Sequence, residues 1–464
     1  MIGEQNVPGA AAPESGSTAT TMAYDSMRTF VARLIPVALS IVTGIITAKW
    51  LGPAGKGIYS GTLMLVSIIM VAPAGVAGAI TYALTKQRRP LSELLPAVAV
   101  LFLSLSVLSG LGVIAWGLLR GWGPVLWIII AAVPPSVILV WQSALYIGLG
   151  RLRNLNIQSI GLALATLLGV ASAIAVFRGG AIGALLAWLL CLYGAALVVV
   201  LHVMRLGRGP HRAPLGPMLA GLVRFGGPST INTFLGTLNY RIDSIILIAI
   251  MGVAQFGIYS IAVSFGELLF MLSRPVTAAA TREIGIRSPT GSAVITAKII
   301  RICTAFVAAV SIIAFVFGPW AIDVVYGTRF TSAATPLRIL LPGIVAFSTA
   351  GTFAAFFLFQ VGRPLIVAAI NVAMILVQAT ACFILVPRFG LNGAAFASSA
   401  TYVAGAVMNT AWFCRLTGRP FWEVWILRRS DIHTVREAVI DRSGFAKRRS
   451  RTRAAAGAVG GDIL

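Results

Sequence analysis

Charge is scarce in this chain. Only 11% of its 464 residues are Asp, Glu, Lys or Arg, and just 13 are acidic, where a soluble domain is about a quarter charged. With 58% hydrophobic residues and a mean hydropathy of +0.92, the composition is that of a polytopic membrane protein. Metal-ligand spacing is absent too. Cys191, Cys303, Cys382 and Cys414 each lie within an apolar run, where they read as small buried hydrophobes rather than redox or metal groups. The three histidines, His202, His211 and His433, fall at span ends or in the tail. No P-loop occurs, so the sequence points to no cofactor and to no enzyme. No cleavable signal peptide is visible, and the first apolar run is expected to act as the insertion signal. A net charge of +23 would suggest nucleic acid in a soluble protein. Here the basic residues lie in loops and tail, as topology signals and contacts to anionic membrane lipid, and no nucleic-acid partner is expected.

What is present is length in apolar runs. Twelve are long enough to cross a bilayer at about 20 residues each. They lie at roughly 28–50, 57–85, 92–119, 124–149, 155–177, 181–204, 222–250, 257–282, 295–319, 336–360, 364–386 and 391–416. Alternate loops carry the basic residues: Lys86, Arg88 and Arg89, then Arg151 and Arg153, Arg205 and Arg208, Arg282 and Arg287, and Arg363. These loops are assigned to the cytoplasm, which places both termini there. Prolines interrupt several spans, among them Pro73, Pro228, Pro275 and Pro342, as suits helices that bend.

The runs repeat. Gly52-Pro-Ala-Gly-Lys-Gly-Ile-Tyr-Ser60 and Gly252-Val-Ala-Gln-Phe-Gly-Ile-Tyr-Ser260 match at six of nine positions with an offset of 200. Gly150-Arg151 and Gly362-Arg363 match at an offset of 212, and Gly180 and Gly390 at 210. Both halves begin with an outer corner, so the repeat is parallel, about an axis along the membrane normal. The expected organisation is a disordered cytoplasmic leader (1–24), a six-helix lobe (25–204), a Gly- and Pro-rich linker (205–221), a second six-helix lobe (222–417) and a basic cytoplasmic tail (418–464). In the tail, Phe421, Trp422 and Trp425 beside Arg428 and Arg429 read as a segment lying in the interface. Lys49 and Lys56 flank the first corner and are expected at the surface.

Ionisable residues deep in a span are the strongest functional clue. Arg241 and Asp243 lie in the seventh span and Glu267 in the eighth. Counted from the corner between those spans at 1.5 Å per residue, Arg241 and Glu267 both lie about 15 Å deep. Asp243 follows Arg241 by about 200° around the helix, so one of the two is expected to face a cavity and the other to pair within the lobe. Two readings stand: an ion pair locking the two helices, or a central site for a charged substrate or coupling ion. The repeat-related positions are Ile41, Thr43 and Ser67, so these charges belong to the second lobe alone. Arg33 and Arg274, nearer the cytoplasmic face, suit a phosphate-binding mouth, with snorkelling anchors as the alternative. Asn239 and Tyr240 add polar contacts, or serve as helix-helix glue.

These residues carry a family likeness. Over about residues 25–417 the chain resembles the Wzx-type polysaccharide and oligosaccharide flippases of the MATE-like (MOP) exporter superfamily. The likeness rests on the two corners, Arg224-Phe-Gly-Gly-Pro228, Arg241-Ile-Asp243, Glu267, and Leu337-Arg-Ile-Leu leading to Gly362-Arg-Pro364. It implies an all-α protein of two six-helix bundles around a V-shaped cavity, in a bacterial cytoplasmic membrane. It implies translocation of a polyprenyl-pyrophosphate-linked oligosaccharide to the outer leaflet by alternating access. Candidate substrate-binding residues are Arg241, Asp243, Glu267, Arg33, Arg274, Asn239 and Tyr240. The lipid-linked glycan is the expected partner, alongside a glycan polymerase and glycosyltransferases. The alternative is a MATE-like drug antiporter coupled to a cation, using Asp243 and Glu267.

Overall fold

The structure, a computed structural model, describes residues 17–120, 123–209 and 214–431, with side chains from Leu34 onward except at 116, 118–120, 279 and 282. The tail beyond Asp431, most of the expected leader and part of the expected linker lie outside the described residues. Among those described, every regular element is helical: α1 (Ser17–Ile69), α2 (Val71–Thr85), α3 (Leu91–Arg120), α4 (Pro124–Gly148), α5 (Leu152–Ala175), α6 (Gly180–Leu206), α7 (Leu215–Asn239), α8 (Ile242–Met251), α9 (Val253–Ile286), α10 (Pro289–Tyr326), α11 (Ala334–Phe347), α12 (Ala350–Ala355), α13 (Pro364–Thr417) and α14 (Phe421–Trp425). A 3₁₀ turn precedes α11 and a π turn, Phe356–Gln360, follows α12.

Nine helical segments among the described residues are long and apolar enough to span a membrane, or ten with α7 and α8 taken as one bent span. Two of them are too long to be single spans. An uninterrupted α1 would run about 80 Å against a hydrocarbon core of about 30 Å. Each contains one non-helical residue, Gly52 in α1 and Gly390 in α13, where the sequence predicts a corner. Division there raises the nine or ten segments among the described residues by two, against the twelve spans expected. The glycines that the repeat pairs also share a conformation. Gly52 and Gly252 have φ of 67° and 83°, Gly150 and Gly362 both 69°, and Gly180 and Gly390 59° and 55°. Side chains bearing a Cβ are strained in this region.

Leu103, Leu190, Leu365 and Phe383 are each more than 60% exposed. Apolar surface of this kind, on helices that satisfy their own backbone, belongs against lipid. The protein is a multi-pass membrane protein.

By contact the chain divides into two units. Unit 1 holds residues up to Arg241 together with Gly252–Ile258 and Val325–Arg329; unit 2 holds the rest. Within unit 1, α1 packs on α5 and α6, and α2 on α4 and α7. The restart of the helix at Val71 has a local cause: Pro73 lacks the N–H that would bond Ile69. The Trp141 indole of α4 donates to the Pro73 carbonyl at 2.7 Å. Within unit 2, α11 lies so close to α13 that a Cβ on Gly343 would stand 2.5 Å from Ser399 Cα. The Gly343 N–H donates to Ser399 Oγ at 3.0 Å. Tyr402 stacks on Phe347 with Phe270 edge-on.

The segment after α13 is held more firmly than an interfacial strip requires. Gly418 ends α13 in the left-handed conformation, and the chain returns over α10. There Arg301, 5% exposed, makes a fork onto Asp431: Nε to Oδ2 at 2.6 Å and Nη2 to Oδ1 at 3.0 Å. Its Nη1 donates to the Glu423 carbonyl at 2.7 Å. Arg419 and Arg428 both pair with the Glu423 carboxylate, and the Trp425 indole donates to Thr410 Oγ1. Phe421, Trp422, Ile426 and Leu427 remain exposed.

The Arg301 fork holds the Asp431 carboxyl below the usual carboxylate range. A carboxyl with a lowered folded-state pKa stabilises at every pH above its unfolded pKa and loses that contribution as pH falls through the folded value. Thermal melts of the detergent-solubilised protein should therefore show a stability loss below about pH 4 that Asp431→Asn lacks. At neutral pH, Asp431→Asn leaves Arg301 buried and unpaired, at a cost of about 3–5 kcal/mol. Limited trypsin digestion should then cut at Arg428 or Arg429 sooner.

Candidate functional site

The seventh span is not one helix. α7 ends at Asn239 and α8 begins at Ile242, with a bend of 50° between them. The backbone N–H groups of Tyr240 and Arg241 bond only three residues back, to Thr237 and Leu238. A break takes backbone groups out of the helical ladder within a span. Irregular backbone at that depth is tolerated where protein or a wet cavity satisfies it. Four of the seven candidate residues, Asn239, Tyr240, Arg241 and Asp243, stand at this break. No proline or glycine occupies 239–242, so the polar run Asn-Tyr-Arg-Ile-Asp was the available signal for it.

On the unit 1 side, Asn239 is 1% exposed, while Tyr240 and Arg241 are half-buried. On the unit 2 side, Asp243 is 3% exposed and occupies the first turn of α8, where the helix dipole favours a carboxylate. The Ser244 N–H donates to its Oδ1 at 2.6 Å. The Tyr259 hydroxyl of α9 donates to Oδ2 at 2.7 Å, and Ser398 of α13 donates to the same oxygen at 2.9 Å. Gln378 donates in turn to Ser398 Oγ. Asp243 thus ties α8 to α9 and to α13 on the far side of the Gly390 corner. Tyr259 and Ser398 escaped the sequence reading because Tyr259 is part of the repeated corner and Ser398 lies 155 residues from Asp243.

Glu267 and Arg274 are both exposed on α9. Seven residues apart, they share one helix face about 10 Å apart along the axis. Arg33 lies in α1, with its side chain outside those described. No group of three His, Cys, Asp or Glu among the described residues could hold a metal ion.

Unit 1 buries a charge that the sequence reading placed at the surface. Lys56 is 7% exposed. The turn at Gly52 carries it inward beside Gly44, where a Cβ would be in ordinary contact with Nζ at 3.6 Å. Nζ donates to the buried Thr47 hydroxyl at 3.2 Å.

Unit 1 also brings the two repeated corners together, reciprocally. A Cβ on Gly57 would stand 1.9 Å from the Val253 carbonyl oxygen, and one on Gly257 would stand 2.0 Å from the Pro53 carbonyl oxygen. The second contact is the first shifted by 200 at both ends. Only glycine allows backbone to approach backbone this closely.

The family described as polysaccharide biosynthesis protein matches residues 25–281, more than half of the chain. The chain belongs to that family. The Wzx-type likeness of the sequence and this match agree. Among solved structures, an inward-facing multidrug resistance MATE family transporter of the MOP superfamily is similar with a TM-score of 0.70 at 17% identity, over 84% of this chain and 98% of that one. A MOP superfamily transporter from Pyrococcus furiosus, described as having a binding pocket of reverse polarity, gives 0.58 at 15%, over 85% and 94%. A Vibrio cholerae MATE transporter gives 0.58 at 15%, over 88% and 99%. No curated protein matches the chain. This polysaccharide biosynthesis family member therefore has the all-α fold of MOP superfamily transporters.

Two outcomes test these contacts. In unfolding of the purified family member, Asp243→Asn and Tyr259→Phe should each destabilise, and the double variant should lose less than their sum, with a coupling of about 0.5–3 kcal/mol. Gly57→Ala and Gly257→Ala should each lower the melting temperature, with little further loss when combined, because either one parts the same contact.

Proposed function

We propose that the protein is a flippase that moves a polyprenyl-pyrophosphate-linked oligosaccharide from the cytoplasmic to the outer leaflet by alternating access, for surface polysaccharide biosynthesis. The observation that carries this reading is the break in the seventh span of a chain belonging to the polysaccharide biosynthesis family. Broken helices near the middle of a membrane supply transporter sites, because free backbone groups and half-helix ends point at the substrate there. Arg241 at the break brings a planar guanidinium suited to phosphate oxygens. Tyr240 and Asn239 bring hydrogen-bonding groups suited to sugar hydroxyls. Glu267 and Arg274, on one face of α9, remain candidates for further polar contacts, and the lipid tail stays in the bilayer. The cytoplasmic placement of both termini and of the basic loops follows from charge asymmetry.

A drug antiporter on the same fold needs an acidic group open to cationic drugs or protons. Asp243 is a poor choice for that task, being buried with both oxygens engaged, which leaves the exposed Glu267 as the acidic group for that reading. The role of Asp243 here is to hold α8 in place.

In liposomes containing a fluorescent polyprenyl-pyrophosphate sugar, the wild-type protein should expose inner-leaflet label to an external quencher. Arg241→Ala should slow this at least tenfold, and Arg241→Lys less. The reading fails if the wild type moves no such lipid and deletion of the gene leaves surface polysaccharide intact.

A further inference from the structure

Unit 1 contains a cavity of about 490 Å³ that none of the candidate residues lines. It lies where α2 ends and α7 begins. The two helices cross closely: a Cβ on Gly75 would stand 1.8 Å from Thr230 Oγ1, and one on Gly226 would stand 3.1 Å from Val76 Cα. From that crossing toward the 86–90 loop the helices part, and the space between them is the cavity. The loop itself is bent back. Arg88 adopts a left-handed φ of 51°, and the Arg89 N–H bonds the Ala83 carbonyl at 3.0 Å.

The lining has two kinds of surface. Tyr82 and Phe225 stack with ring centroids 4.5 Å apart and planes 17° apart, forming an aromatic wall. Gln87, Arg89 and Arg224 supply polar groups. Glu93 approaches Arg89 at 3.5 Å from one turn on, its Oε2 buried without a hydrogen bond, and offsets part of that arginine's charge. Lys86 and Arg88 belong to the same loop, so positive charge dominates. Two guanidiniums offer forked donors for phosphate oxygens. The aromatic wall offers a flat apolar face of the kind that the C–H face of a sugar ring covers. The volume lies within the range of small-molecule sites, about 300–1,000 Å³.

We propose that this cavity is a loading subsite that takes the phosphate-bearing sugar headgroup of a lipid, apart from the break in the seventh span. The proposal rests on the flippase reading for its ligand. The recognised chemistry is a phosphate or pyrophosphate next to a sugar ring. A lipid-linked sugar, an ordinary anionic phospholipid or free pyrophosphate all supply the phosphate, and only the first supplies both parts on a lipid.

The full-length protein in detergent would be titrated with three probes: a short-chain polyprenyl pyrophosphate bearing one sugar, inorganic pyrophosphate, and phosphatidylglycerol. Binding would be read by native mass spectrometry. The expected order is tightest for the sugar-bearing lipid. Arg89→Gln with Arg224→Gln should weaken it at least tenfold. Tyr82→Ala should weaken the sugar-bearing lipid but not pyrophosphate, and Tyr82→Phe should restore it. Circular dichroism and melting of each variant control for folding, and Arg224→Lys serves where the double variant does not fold. Equal binding of phosphatidylglycerol and the sugar-bearing lipid would overturn the proposal, leaving an ordinary anionic-lipid site. So would wild-type affinity in the Arg89→Gln/Arg224→Gln protein or in folded Arg224→Lys. Liposome translocation by the wild type tests the flippase reading separately, so a moving lipid with an indifferent cavity would sink the subsite alone.

Discussion

Inside a hydrocarbon layer a peptide group has no water to bond, so backbone that spans it stays helical and each departure needs a reason. That constraint orders this protein. Departures at Gly52, Gly180, Gly252 and Gly390 are turns between spans, made by residues without a Cβ. The departure at Met70 follows from Pro73. The departure at Tyr240 and Arg241 has no glycine or proline within 239–242, and Gly236 lies one turn before it. It coincides with the polar residues of the seventh span and does not reverse the chain.

The repeat supplies more than a count of spans. Because Gly57 and Gly257 sit at matching places in matching corners, each covers the carbonyl four residues before the other. One duplicated sequence thereby makes a contact with itself that neither copy makes alone. The duplication is then broken by charge. The first copy buries Lys56 against Thr47, where the second copy has Phe256 and Leu247. The second buries Asp243 against Tyr259, where the first has Thr43 beside Tyr59. A buried charge costs several kcal/mol even after relaxation, so each departure from symmetry carries a cost that the other copy does not.

Composition and spacing made much of this legible. Apolar run length predicts where the apolar helices lie, though not the breaks at Met70 and at Tyr240, and the glycine pairs locate turns. The polar residues of the seventh span were visible as residues. Their arrangement was not, because Asn239 to Asp243 read as part of a continuous apolar helix until the bend is seen. The surface placement of Lys56 failed for a related reason: its neighbours in sequence are corner residues, while its neighbours in space include Gly44 and Thr47. The tail was legible as aromatic and basic, but its anchor was not, since Arg301 lies 130 residues from Asp431.

The sequence by itself determined the class of protein, the spans, the duplicated corners and the family likeness. Each of these depends on local composition or on a regular interval, and both survive in one dimension. Tertiary structure decided which charges are buried, which partners satisfy Asp243 and Arg301, and where the cavity between α2 and α7 opens. Those outcomes depend on approaches of a few ångströms between helices far apart in the chain, set by missing Cβ atoms at Gly75, Gly226 and Gly343. A glycine in a sequence does not announce which backbone will come to meet it.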